Sequence, residues 1–347
     1  MSVLPDPVID DPGVRLFVGD AVALLPLLDA ASADSVVTDP PYGLEFAGQA
    51  WDGAAGFRDS LAGVDTAGMS DGEVFETWCA AWAAGALRVL KPGGHLVAFG
   101  GARMWHRMAR GVEAAGFELR DQIAWLYSSG MPKSLDLSAA ADKHLGAERP
   151  DRMVVRSQRE GVLGRTSTVV SPGQPVTVEA KRLVGWGTGL KPGFEPILIA
   201  RKPPEGSLVA NAVKHGTGGL NIDAARFGAS RWPVNVALDA GQAELLDGAV
   251  GDGASKRFPV FHLESKPSRL ERPRAFGGAH ATVKPVSLMR WLTRLVTPPG
   301  GLVVEPFAGS GTTIEAALSD GFKVVAVEKD EEFVALVRSR LDRAGLG

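Results

Sequence analysis

An α/β fold built on a doubly wound sheet is the architecture this sequence predicts, on three observations. Short apolar runs alternate with helical patterns over the first 127 residues and again from residue 281 onward. Some of these runs, such as Leu96 to Phe99 and Leu302 to Val304, are apolar throughout, as strands covered on both faces are. A glycine turn, Gly309-Ser310-Gly311, stands between such a strand and a helix, and the next strand ends in an acid, Glu328.

In chain order, Arg15 to Val18 reads as a short strand ending at Gly19-Asp20, Ala21 to Leu28 as a helix, and Ser35 to Thr38 as a strand that the prolines after Asp39 forbid to continue. A helix rich in Ala and Trp covers about Asp71 to Leu90. Lys91-Pro92-Gly93-Gly94 turns the chain into strand His95 to Phe99, and a helix from about Ala102 to Ala115 stops at Gly116. Phe117 to Tyr127 alternate with a period of two, which predicts a long strand, antiparallel and with one more polar face. From Ser128 to about His280 the periodicity gives way to Gly, Pro, Ser and Arg, apart from an apolar strand at Ile197 to Ala200. A stretch this long without pattern points to functional insertions with short elements of their own. Order returns with a helix opened by Pro285, carrying Leu288, Met289, Leu292, Leu295 and Val296 on one face, and closed by Pro298-Pro299-Gly300-Gly301. Strand Leu302 to Val304, helix Gly311 to Leu318, strand Lys323 to Val327 and an amphipathic helix marked by Phe333, Val337 and Leu341 follow.

Composition narrows the function classes. The 347 residues are 45% hydrophobic and 22% charged, values of a folded globular chain with room for two or three domains. No apolar run approaches the ~20 residues that cross a bilayer, so no membrane partner is expected. Residues 1–20 lack the basic start and apolar stretch of a signal peptide, which points to the cytoplasm. A single cysteine, Cys79, excludes a disulfide framework and a zinc knuckle; between Trp78 and Trp82 it reads as a core thiol, and no metal is expected. Net charge is −3, yet residues 128–280 hold 21 Lys+Arg and 15 Asp+Glu, net +6, leaving −9 for the rest. A localised basic surface matters more to a polyanion than the total does.

Two turns carry the chemistry. Val303 to Thr313 is a strand, a glycine turn and a helix start, followed by strand Lys323 to Val327 and Glu328, an acid placed to hold ribose hydroxyls. It is no dinucleotide fingerprint, because Ile314 stands where the third glycine belongs, and it lacks the GK[ST] of a phosphate loop, so a nucleoside without pyrophosphate fits better. Asp39-Pro40-Pro41-Tyr42 directly after a strand can hold a planar ring bearing an amine: Asp39 and the Pro40 carbonyl each accept an N–H, and Tyr42 stacks. A plain turn leading into a helix is the alternative reading of that tetrapeptide. Trp51 either borders the same site or packs in the core, and His95 reads as a core histidine.

These two motifs, with Asp39-Pro40-Pro41-Tyr42 ahead of Glu305-Pro306-Phe307-Ala308-Gly309-Ser310-Gly311-Thr312-Thr313, resemble the amino-methyltransferases that methylate exocyclic amines of DNA bases with S-adenosylmethionine. Their order, with a long insertion between them, is similar to that of the β class. Gly19-Asp20, Arg88 to Gly94, Asp121 to Trp125, Phe194-Glu195-Pro196-Ile197 and Thr282-Val283-Lys284-Pro285 agree with it, and Arg231-Trp232-Pro233 resembles phage and prophage members. Glu305 departs from the usual Asp and leaves the turn intact.

The resemblance implies a mostly parallel, seven-stranded sheet with one antiparallel strand. It divides the chain into a catalytic half at 1–127, an inserted target-recognition lobe at 128–280 with a core strand near 194–202, and a cofactor half at 281–347. Asp39, Pro40, Pro41 and Tyr42 become the catalytic motif. Glu305, Phe307, Ala308, Gly309, Ser310, Gly311, Thr312 and Thr313 surround S-adenosylmethionine, with Asp39 bordering it, Glu328 on its ribose, Asp20 near its adenine and Lys284 at its methionine end. The implied partner is double-stranded DNA, contacted through basic residues such as Lys266, Arg269, Arg272 and Arg274, with Arg149, Arg152, Arg156, Arg159, Lys181, Arg182, Lys256 and Arg257 as further candidates. The base must leave the duplex to reach such a pocket. Asp39 favours adenine N6 over cytosine N4, the near alternative, since the family often has Ser there for cytosine. Cytosine C5 chemistry needs a cysteine usually after proline, and Cys79 follows Trp78. Two intact motifs argue against a silent DNA-binding subunit, the alternative from another class. A restriction–modification or phage setting in a bacterial cytoplasm and a homodimer complete the expectation.

Overall fold

A computed structural model describes residues 3–44, 50–128, 130, 134–149, 152–156, 167–171, 173–228, 230–251, 253–261 and 283–346. The strands are β1 (Ile9–Asp11), β2 (Val14–Val18), β3 (Ala33–Thr38), β4 (Leu90–Phe99), β5 (Glu118–Leu126), β6 (Arg152–Arg156), β7 (Ser167–Ser171), β8 (Phe194–Arg201), β9 (Val236–Asp239), β10 (Val260–Phe261), β11 (Leu302–Glu305) and β12 (Lys323–Glu328). The α-helices are α1 (Ala21–Leu24), α2 (Ala54–Ser60), α3 (Asp71–Val89), α4 (Trp105–Ala114), α5 (Leu137–His144), α6 (Val178–Arg182), α7 (Leu208–His215), α8 (Ala240–Val250), α9 (Val286–Val296), α10 (Thr312–Ser319) and α11 (Glu332–Ala344). No helix among the described residues is long and apolar enough to cross a membrane.

The chain forms two compact units, Met1–Ser128 with Phe194–Gly347, and Ser129–Gly193. In the larger, ten strands make one sheet in the order β1-β2-β12-β11-β3-β4-β8-β5-β9-β10. Strands β2, β12, β11, β3 and β4 are parallel, while β8 runs against both β4 and β5. The expected count of seven is exceeded. The seven strands from β2 to β5 contain one antiparallel member, β8, and short strands extend both edges, β1 as a hairpin with β2 and β9 with β10 beside β5. The strand expected to run antiparallel, Phe117 to Tyr127, is β5, which opposes β8 but runs with β2, β12, β11, β3 and β4. Alternation in a sequence reports which face a side chain takes, not the direction of the strand.

Side chains of the central strands divide by parity between two cores. Val37, Val97, Phe99, Ile197, Val303 and Val324 enter one core, with Leu288, Leu292 and Ile314 from the helices α9 and α10. Val36, Leu96, Ala98, Leu198, Val304 and Val325 enter the other, with Trp78, Trp82 and Met108 from α3 and α4. Burial on both faces is why these strands read as apolar runs. The Lys91-Pro92-Gly93-Gly94 segment, expected to be a turn, is the first part of β4. Gly93 takes φ +78 there, and a Cβ would meet Asn211 Nδ2, which donates to the Pro92 carbonyl at 3.0 Å.

The smaller unit has α5, α6 and the antiparallel ribbon of β6 and β7. Its buried Asp142 accepts from the N–H groups of Val176 and Thr177, the Thr177 hydroxyl and Arg149 Nε. The expected inserted region 128–280 is thus split: 129–193 stands as its own unit, and β8, β9 and β10 belong to the main sheet.

Candidate active site

Four neighbouring parallel strands, β2, β12, β11 and β3, end on the same edge of the sheet, and each leaves an acid there: Asp20 just after β2, Glu328 and Glu305 as the last residues of β12 and β11, Asp39 just after β3. Ligands of open α/β sheets bind at this edge, where the loops part. A cavity of about 550 Å³ lies there, and all the residues expected at the two sites line it except Gly311.

Asp39 is at the centre of a hydrogen-bonded cluster. The Tyr42 hydroxyl donates to its Oδ1 at 2.7 Å, and Lys284 Nζ donates to its Oδ2 at 2.7 Å and to the Tyr42 oxygen at 3.0 Å. Glu195 Oε2 lies 3.2 Å from each of the same two donors. Lys284 is only 7% exposed and sits over the rings of Phe99 and Tyr42. Burial alone would depress this ammonium, but Asp39 and Glu195 outweigh it and hold it at about 12. Burial and the same two carboxylates push the Tyr42 hydroxyl well above its ordinary value, so it stays a donor. The loop after the motif is fixed by Asp52, whose Oδ1 accepts the N–H of Tyr42 at 2.6 Å and of Gly43 at 2.8 Å.

The glycine turn is built around two further acids. Glu305 accepts the Thr38 hydroxyl and the Phe307 N–H, tying β11 to β3. Glu328 accepts the Gly309 N–H at 2.6 Å and the Asp330 N–H at 2.9 Å. Gly309 and Gly311 take φ +51 and +80, left-handed values that favour glycine; Gly309 lines the cavity, while Gly311 lies against Val337. Phe307 packs against Trp78 and Trp82, with ring centroids 5.4 and 5.6 Å away. Asp20 caps α1 through the Val22 N–H and holds the Ser60 hydroxyl and Lys329.

Trp51, 37% exposed, lines the cavity instead of filling the core. His95 is buried in β4, and burial, with Arg201 and Arg120, lowers its imidazole to about 4. Cys79 is buried on α3, its thiol pushed up by burial. Lys284, expected at the cofactor's methionine end, lines the cavity with its ammonium committed to Asp39 and Glu195. Sequence reading missed Glu195 and Asp52 as site residues. Glu195 had a signal, an acid opening an apolar strand before Pro196; Asp52 had none, because a single 3-10 turn carries no periodicity. Among the expected DNA contacts, Arg149 is held inside the smaller unit by Asp142 and Ser138 rather than exposed. Lys266, Arg269, Arg272 and Arg274, with Arg159, lie outside the described residues, as does Thr282.

A family model described as DNA methylase, spanning N6 and N4 enzymes, matches residues 33–339. The chain belongs to this DNA methylase family. It is a DNA methyltransferase of the N6/N4 amino group, and its relatives include type II enzymes. Type II methyltransferase M.HindIII of Haemophilus influenzae is 25% identical over 350 residues, covering 94% of each chain. DNA adenine methyltransferase YhdJ of Escherichia coli is 24% identical over 330 residues, 94% of this chain and 82% of that protein. The solved PvuII DNA methyltransferase, described as cytosine-N4-specific, is similar at a TM-score of 0.58 and 17% identity, over 98% of this chain and 90% of that one, a likeness of fold alone.

Proposed function

We propose that this DNA methylase transfers a methyl group from S-adenosylmethionine to N6 of an adenine turned out of double-stranded DNA. The observation that carries the reading is the shared cavity: the Asp39 to Tyr42 turn and the Glu305 to Thr313 turn, far apart in sequence, line one space. Its wall suits a sulfonium cofactor. Asp20, Asp39, Glu328, Asp330 and Glu331 face Lys284 and Lys329 there, an acidic balance that favours a cation. Phe307, Ala308, Gly309, Ser310 and Thr312, with Gly311 behind them, hold the cofactor, and Glu328 takes its ribose. When bound, S-adenosylmethionine supplies an electrophilic methyl group.

The residues of the chain prepare the amine. An exocyclic nitrogen is a poor nucleophile while its lone pair is delocalised into the ring. Asp39 accepts one of its N–H groups and the Pro40 carbonyl the other, which favours the pyramidal nitrogen and orients its lone pair. Tyr42 stacks on the base, and the walls hold the nitrogen in near-attack geometry. No strong base is needed, because the nitrogen becomes acidic as it gains the methyl group, and its proton passes to Asp39 or to water while S-adenosylhomocysteine leaves. Adenine is favoured by the aspartate at the first motif position and by the adenine activity named for the Escherichia coli relative.

The test is incubation of duplex DNA with methyl-labelled S-adenosylmethionine, digestion to nucleosides and separation of the labelled product. Labelled N6-methyladenine is expected. Labelled N4-methylcytosine overturns the choice of base, and no labelled nucleoside overturns the reading.

A further inference from the structure

Both carboxylate oxygens of Asp39 are occupied, Oδ1 by the Tyr42 hydroxyl and Oδ2 by Lys284. An amine that binds Asp39 competes with both of these donors for its oxygens, and drawing a buried ammonium away from its anion is costly. A second anion stands ready. Glu195 Oε2 is 3.2 Å from both the Tyr42 oxygen and Lys284 Nζ, so the two donors already lie between two carboxylates. Topology puts it there: β8 runs against β4 and pairs Ile197 with Phe99, so the start of β8 reaches the edge where the parallel strands end. The groups that face Glu195 are Asp39 and Tyr42 after β3, Lys284 before α9 and Tyr127 after β5.

Building on the amine-methylation reading, we propose that Glu195 is a positioning residue that takes over Lys284 and the Tyr42 hydroxyl when the target amine claims Asp39. The exchange creates and removes no charge, since Lys284 passes from one carboxylate to the other and both donors need to close only from 3.2 Å to ordinary hydrogen-bond length. Asp39 is masked by its two donors and opens in step with base entry.

The experiment uses the full chain as wild type, Glu195→Gln, Glu195→Asp, Lys284→Met and the double variant Glu195→Gln with Lys284→Met. Methyl transfer is followed at saturating S-adenosylmethionine. Equilibrium affinity is measured with S-adenosylhomocysteine for duplexes carrying adenine or purine, which lacks the 6-amino group, at the target position. Loss of one charged hydrogen-bond partner predicts that Glu195→Gln lowers kcat/KM for DNA about tenfold to a hundredfold and weakens the preference for adenine over purine by a similar factor. Cofactor affinity stays within about threefold of wild type, since that substitution leaves the glycine turn untouched. Glu195→Asp recovers part of the loss. In the Lys284→Met background the same Gln substitution leaves the adenine preference unchanged, because no ammonium remains to be rehoused and the amide oxygen it introduces still accepts the Tyr42 hydroxyl. Wild-type kcat/KM in Glu195→Gln, or an equal loss of adenine preference in both backgrounds, overturns the inference. A wild type that methylates no base amine overturns the functional reading and the inference with it.

Discussion

Glu305 stands 1% exposed at the end of β11, and burial pushes its carboxyl up to about 8 against the hydrogen bonds from Thr313, Thr38 and the Phe307 N–H that pull it down. Below the ordinary value of 4.5 both folded and unfolded chains are protonated; between there and about 8 only the unfolded chain gives up the proton. Glu305 therefore contributes stability that is full in acid and is lost as pH rises through about 8. Its share is a slope of at most about 1.4 kcal/mol per pH unit. His95, lowered by burial, opposes it as pH falls below the ordinary imidazole value, so the comparison has to be with Glu305→Gln. Denaturant titrations without cofactor should show the wild type losing stability relative to Glu305→Gln between pH 5 and pH 8, and equal slopes would refute the assignment. At Asp39 the expected effect is on chemistry instead. Asp39→Ala should lower methyl transfer by a thousandfold or more, roughly two charged hydrogen bonds' worth, with S-adenosylmethionine affinity nearly intact by calorimetry. Equal loss of both would mean the two turns do not divide the work as proposed.

The glycine turn shows what an element's pattern does and does not reveal. A strand, two glycines and a helix start were legible because backbone geometry demands those residue types: Gly311 has φ +80 and a Cβ would lie 3.2 Å from Val337 of α11. Gly311→Ala should cost about 1 to 2 kcal/mol of stability for the left-handed conformation alone, read as a lowered melting temperature, whereas Gly219→Ala, with open space and no left-handed φ, should be near neutral. Strands β2, β3, β11 and β12 were legible too, since burial on both faces writes itself as apolar residues. The direction of β5 was not, because alternation is the same for either polarity. Strands β9 and β10 are too short to leave a period, and the start of β4 was hidden by Pro92 and Gly93, residues that signal a turn unless a partner such as Asn211 pins them into a strand edge. Within the site, Asp39, Glu305 and Glu328 were legible because each ends a strand. Glu195 begins one that runs the other way, and its role depends on that reversal.

At the scale of the whole molecule, charge separates the expected DNA contacts from the rest of the surface only by region. The smaller unit, residues 129–193, holds ten Lys+Arg against six Asp+Glu, a net +4 in a chain whose total is −3. Within it Arg149 is locked on Asp142, while Lys181 and Arg182 at the end of α6 are exposed; in the larger unit Lys256 and Arg257 are exposed as well. If residues 128–280 supply the phosphate contacts, neutralising Lys181 with Arg182, Lys256 with Arg257, or Lys266 with Arg269, Arg272 and Arg274 should each weaken binding and flatten its salt dependence. The log–log slope should fall by roughly 0.9 for every phosphate contact removed from duplex DNA. The control has to avoid Arg340, which is buried and bonded to Glu315 Oε2 at 2.6 Å and to the Ser310 carbonyl, so that its loss would disturb the glycine turn itself. Arg338 and Arg343 on α11 serve instead, both at exposed positions outside 128–280. DNA affinity measured against salt for each group, with cofactor affinity in parallel, decides the matter. A slope that no group changes, or one that the α11 pair changes as much as the others, would take the phosphate contacts away from 128–280.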